Sequence, residues 1–110
     1  MAVALDKKRC EPCSGNTPAL EPNEIREYSR QIDSAWRVVD QHHLERDFTF
    51  DDFQQALDFV NRVGEVAESE QHHPDIFLGY GKAQVRLWTH AIDGLSENDF
   101  IMAAKVDKLV

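Results

Sequence analysis

Residues 51–74 read DDFQQALDFVNRVGEVAESEQHHP, and this stretch decides the fold. Asp51 stands just ahead of an apolar run, and Gln54 follows three residues later, which is the pattern of a capping box. Phe53, Leu57, Val60, Gly64 and Ala67 then recur at helical spacing, with Ala56 and Val63 beside them. The spacing predicts a long amphipathic helix that stops near His72, because Pro74 pushes His73 out of the α region.

On either side of this helix the period changes from helical to alternating. Upstream, Trp36 to Val39 and Leu44 to Phe50 form a predicted hairpin around Asp40-Gln41, although the turn lacks an Asn-Gly pair. Leu44, Arg46, Phe48 and Phe50 share one face, and Glu45, Asp47 and Thr49 share the other. Downstream, Ile76 to Leu78 and Gln84 to His90 form a second predicted pair, broken by Gly79-Tyr80-Gly81. In the last strand Val85, Leu87 and Thr89 point one way, and Gln84, Arg86, Trp88 and His90 the other.

Helices close both ends. Pro22 suits a first helical turn, Glu24 and Glu27 favour its dipole, and Ile25, Tyr28 and Ile32 give it an apolar side to about Asp33-Ser34. Ser96 caps the last helix with Asp99 in the capping-box position, and Phe100, Ala103, Ala104 and Val106 supply its apolar side. The predicted order is α-β-β-α-β-β-α. Short connections imply antiparallel pairing, so the fold class is α+β, a two-layer domain with three helices on one face of a four-stranded antiparallel sheet. Residues 20–110 form this domain, and residues 1–19, which lack any sustained period, an irregular N-terminal arm. An open edge or face would permit self-association.

The chain of 110 residues is long enough for one modest core and no more. Its 42% hydrophobic and 29% charged residues fit a globular protein. A net charge of -8 repels phosphate backbones, which argues against direct nucleic-acid binding. No apolar run approaches the roughly 20 residues of a membrane span. Met1 to Arg9 holds no apolar core of a signal peptide, so a cytoplasmic location is expected.

Three of the five histidines fall at element ends. His72 and His73 close the long helix, and His90 closes the last strand. Imidazoles titrate near neutrality and could supply acid, base and hydrogen-bond donor to one pocket. The plainer readings stand beside this one. A histidine at a helix C-terminus is also a dipole partner. Three histidines could hold a metal with help from Glu68 or Asp75, although a helical zinc pair wants i and i+4 spacing that His72-His73 does not supply. Tyr80 and Trp88 could be packing aromatics, Glu68 an exposed helix face and Asp99 a cap alone.

The run Glu68-Ser69-Glu70-Gln71-His72-His73-Pro74, followed by Tyr80, Thr89-His90, Gly94-Leu95-Ser96 and Asp99, resembles the pterin-4a-carbinolamine dehydratase family. The resemblance spans about Leu20 to Leu109 and includes the order of elements; Gln71 departs from it, standing where many relatives carry an acidic residue or glycine. It implies dehydration of a 4a-hydroxytetrahydropterin to the quinonoid dihydropterin, which recycles the pterin of aromatic amino-acid hydroxylases such as those of phenylalanine hydroxylation. His72, His73 and His90 would be the catalytic histidines. Glu68, Gln71, Trp88, Thr89 and Asp99 would contact the substrate, with Asp99 orienting His90. No metal or cofactor is implied. The small-molecule pterin is the expected partner, alongside self-association into a dimer or a dimer of dimers. The family also includes protein-binding dimerisation cofactors and assembly factors, which is the competing reading.

Cys10-Glu-Pro-Cys13 and His42-His43 lie outside this pattern. A structural zinc site needs four ligands and no second C-x-x-C exists, although His42-His43 could in principle complete one, while a redox C-x-x-C opens a helix in a βαβ setting. Free, reduced cysteines in the arm and hairpin-turn histidines are the expectation.

Overall fold

The structure is a computed structural model that describes residues 4–11 and 16–110. Within them the chain forms α1 (Pro22–Ser29), β1 (Arg37–Val39), β2 (His43–Thr49), α2 (Phe53–Glu70), β3 (Asp75–Gly79), β4 (Lys82–Leu87) and α3 (Glu97–Asp107), with 3-10 turns at Leu5–Lys7 and His90–Ile92. This is the predicted α-β-β-α-β-β-α order and α+β class. All strands are antiparallel, in the order β1-β2-β4-β3.

The two hairpins meet through β2 and β4. Their register sets Leu44 opposite Leu87, Arg46 opposite Val85 and Phe48 opposite Ala83. All of these face the helices, and all but Arg46 are buried. The other face pairs Glu45 with Arg86 and Asp47 with Gln84, and Arg37 bonds Glu45 at 2.8 Å. The alternation in β2 therefore separates core from solvent as expected for a one-sided sheet.

Several boundaries differ from expectation. α1 ends at Ser29, not Asp33-Ser34, because the N–H of Gln31 tightens onto Tyr28 O at 2.9 Å and the Asp33 carboxylate then takes the N–H of Ala35 at 2.8 Å. α2 is capped by Asp52, not Asp51: its carboxylate accepts the Gln55 N–H at 2.8 Å, and Gln55 reaches back to the Asp51 N–H. The core-facing stripe is Ala56, Phe59, Val63 and Ala67, and Phe53 is left 45% exposed. Phe59 decides that rotation by packing on Phe48 (4.5 Å between centroids) and Phe50 (5.3 Å). β4 ends at Leu87, not His90, because Thr89 pairs with Gly94 and turns the chain into the His90–Ile92 segment.

Both hairpin turns use the left-handed region. Asp40 and Gln41 each have φ 53°, a conformation Asp tolerates well. Gly81 has φ +67°, and a Cβ there would lie 2.9 Å from the Phe50 carbonyl oxygen. Of the arm, Leu5 is buried against α3 and Cys10 packs on the core edge. Cys13 lies outside the described residues.

Candidate functional site

The C-terminus of α2 delivers the His-His pair. Gln71 ends the helix in the left-handed conformation (φ 53°), with its side-chain amide on the Glu68 carbonyl at 2.7 Å. This stop turns the chain so that His72, with its N–H on Ala67 O at 3.2 Å, points back toward α3. His72 Nε2 donates to Asp99 Oδ1 at 2.6 Å.

Asp99 is fully buried, and both its oxygens are engaged. Oδ2 accepts from Thr89 Oγ1 at 2.9 Å and from the Ser96 N–H at 2.9 Å, and Thr89 Oγ1 lies 2.7 Å from Ser96 Oγ. One carboxylate therefore caps α3, anchors the strand end and fixes the His72 ring. This corrects one expectation. Asp99 orients His72, not His90, because the helix cap brings it behind the α2 terminus. Thr89 borders the same cleft as the histidines, and its hydroxyl is bonded to Asp99 and Ser96, while Asp99 is divided between His72, Thr89 and Ser96.

His73 is exposed and pairs through Nε2 with the Glu68 carboxylate. Glu68 thus meets the site through His73. His90 opens the 3-10 turn after β4 with its ring 4.5 Å from that of Trp88. His72, His73 and His90 all border one cleft of about 510 Å³, together with Gln71 and Trp88. That volume suits a small heterocycle. Among the described residues no three His, Cys, Asp or Glu side chains are grouped as metal ligands.

One wall was not foreseen. Arg9, Cys10 and Glu11 line the same cleft. The Cys10 N–H donates to Glu70 Oε1 at 2.8 Å, and Glu70 pairs with Lys105 at 3.3 Å. Glu11 and Asn98 exchange two bonds of 2.9 and 2.5 Å. Burial alone would raise the Glu70 carboxyl, but the Cys10 N–H and Lys105 outweigh it and hold the group below its usual range. The Cys10 thiol is pushed up to about 12, by burial first and by Glu70 next. No periodicity marks these residues, and the expected irregular arm with free cysteines gave no sign of this seat.

A family profile described as "Pterin 4 alpha carbinolamine dehydratase" matches residues 18–109. The chain belongs to the pterin-4-alpha-carbinolamine dehydratase family. Relatives named for that enzyme include a Rubrobacter xylanophilus protein, 54% identical over 105 residues (96% of this chain, 97% of the relative), and an Alkaliphilus metalliredigens protein, 52% identical over 104 residues (94% of each). A Brucella melitensis structure described as a transcriptional coactivator/pterin dehydratase superposes with a TM-score of 0.77 at 35% identity, covering 83% of this chain and 97% of that one. A pterin dehydratase-like protein described as a RuBisCO assembly factor superposes with a TM-score of 0.58 at 25% identity, covering 68% and 88%. Family membership was legible in the His-His-Pro run and the elements around it.

Proposed function

We propose that the chain dehydrates a 4a-hydroxytetrahydropterin to the quinonoid dihydropterin by imidazole acid–base catalysis. The product is the form that a reductase returns to the tetrahydropterin used by aromatic amino-acid hydroxylases. The reaction breaks the C4a–O bond: the hydroxyl leaves as water after taking a proton, and N5 gives up its proton as the C4a–N5 double bond forms. It asks for one acid and one base on opposite sides of a planar heterocycle, and a positioned group of either kind contributes typically about 10²–10⁴-fold.

The observation that carries this reading is that His72 and His90 border one cleft from separate elements, with His72 clamped by buried Asp99. With its Nε2–H given to Asp99, neutral His72 keeps its lone pair on Nδ1 and can accept the N5 proton. His90 would protonate the departing hydroxyl, and the two would exchange roles for the opposite stereoisomer. His73, paired with Glu68, would bind the pterin or relay a proton. Gln71 and Trp88 would border the ring. A homo-oligomer in the cytoplasm is the setting this reading expects.

The test is direct. Purified protein is given freshly generated 4a-hydroxytetrahydropterin, and quinonoid product is followed by absorbance. Acceleration over buffer that is lost in a His72→Ala, His90→Ala double variant supports the proposal. No acceleration by folded wild-type protein overturns it, and capture of one stoichiometric protein partner in that event favours an assembly or cofactor role.

A further inference from the structure

His90 is held differently from His72. Among the described residues its ring has no hydrogen-bonding side chain, and its ring neighbour is Trp88 at 4.5 Å. Trp88 in turn meets two imidazoles from the β1–β2 hairpin, with centroids 5.5 Å from His42 and 5.9 Å from His43. The two imidazoles bond each other through their Nδ1 atoms at 3.1 Å. His42 Nε2 then reaches Asp93 Oδ1 at 2.7 Å, across 51 residues of sequence. Asp93 directly follows the His90–Ile92 turn, holds φ 48°, and returns its N–H to His90 O at 3.2 Å.

We propose that His42 is a positioning residue for the dehydration: its bond to Asp93 latches the β1–β2 turn onto the His90 turn and fixes the Trp88 stack that orients His90. The inference rests on the acid–base role given to His90 above. The Asp93 side chain is 88% exposed, so the pair contributes little to stability. What it fixes is direction. It closes a loop of contacts from the hairpin through Trp88 to His90 and back through Asp93, and misplacing a catalytic group by about 1 Å can cost a factor near 10².

The experiment compares full-length wild type with His42→Ala, His42→Gln, Asp93→Gly and the double variant His42→Ala, Asp93→Gly. Glycine keeps the positive φ at position 93, and the glutamine amide can reach the same carboxylate. Each is assayed with 4a-hydroxytetrahydropterin and followed by ¹H–¹⁵N spectra, with the Trp88 indole peak assigned by Trp88→Phe. The expected result is a roughly tenfold lower kcat in His42→Ala at little-changed KM. The Trp88 indole peak shifts in Asp93→Gly, which keeps every ring, His42→Gln restores kcat, and the double variant loses no more than either single one. Wild-type kcat in folded His42→Ala, or losses that add in the double variant, overturns the proposal. If wild type itself does not dehydrate the pterin, the reading of function fails separately. The latch is then decided by the Trp88 indole and His90 ring resonances in Asp93→Gly, which breaks the bond and keeps every ring: movement of both supports it, and no movement overturns it.

Discussion

Asp99 and His72, 27 residues apart, are joined by a 2.6 Å hydrogen bond that ties the start of α3 to the end of α2. The same carboxylate is the capping-box partner of Ser96. A helix cap thereby becomes the orienting group of a candidate catalytic base, and Thr89 Oγ1 holds the carboxylate in place from the strand side.

Asp99→Asn separates these roles. The amide oxygen can still take the Ser96 N–H, but the amide nitrogen then faces His72 Nε2 and favours the other tautomer, with the proton on Nδ1. The expected outcome is a folded protein whose kcat falls by about 10²-fold or more, since the base is lost. Thermal unfolding, expected to be lowered by a few degrees at most, and initial dehydration rates check it. A kcat near wild type would mean that the bond to Asp99 does not set the working nitrogen of His72.

Cys10 titrates out of reach of ordinary conditions. Its folded value of about 12 stands above the ordinary thiol value of about 9, because burial and Glu70 disfavour the thiolate. The unfolded chain therefore releases this proton before the folded chain does. Stability from this group is fully present below about pH 9 and is lost as pH rises toward 12. At pH 8 Cys10 should resist iodoacetamide in the native protein and react once urea unfolds it, as read by peptide mass mapping. Rapid native labelling at Cys10 would show that the arm leaves its seat on Glu70 and Asn98.

Gly81→Ala tests the turn between β3 and β4. The added Cβ would stand 2.9 Å from Phe50 O at a φ of +67°, and the Gly81 carbonyl meanwhile accepts the Phe50 N–H at 2.8 Å. Strain at a left-handed position together with that backbone clash should cost about 1–3 kcal/mol. A urea midpoint equal to wild type would show that the turn relaxes freely.

Local rules made most of the fold legible. The Ser96-Asp99 capping box, the Pro22 start and the strand faces each depend on residues within a few positions of one another. The His-His-Pro run reads as a helix end because Pro74 acts on its own neighbour. What depended on distant packing was not legible. Phe59 set the rotation of α2 through contacts with β2, and an alternating strand declares its faces but not its partner, so the central β2–β4 pairing had no local signal. Asp99 could be read as a cap but not as the partner of His72. The arm's seat on Glu70 and Asn98 follows from single hydrogen bonds without period.

Arg46 and Asp107 carry the last prediction. Arg46 lies on the core face of β2 and stacks over Phe48 at 4.5 Å, and its guanidinium meets Asp107 Oδ1 at 2.6 Å. Their side chains are only 13% and 17% exposed. The same carboxylate accepts the Trp36 indole N–H at 2.7 Å and the Asp33 N–H at 2.9 Å. Asp107→Ala therefore leaves a nearly buried cation with only the longer Asp33 contact at 3.8 Å and takes the partner from the Trp36 indole, whereas replacing both charges by apolar groups would remove most of the demand. Breaking such a pair from one side costs about 3–5 kcal/mol when fully buried, and the residual exposure here lowers the expectation to about 2–4 kcal/mol. Urea unfolding should show that loss for Asp107→Ala and a smaller one for Arg46→Met, Asp107→Leu. The dehydration rate of the folded fraction should be unchanged, because neither residue borders the cleft. A single variant no less stable than the double one would mean that water already satisfies Arg46, and that the cluster at the end of α3 does not hold β2 to the helices.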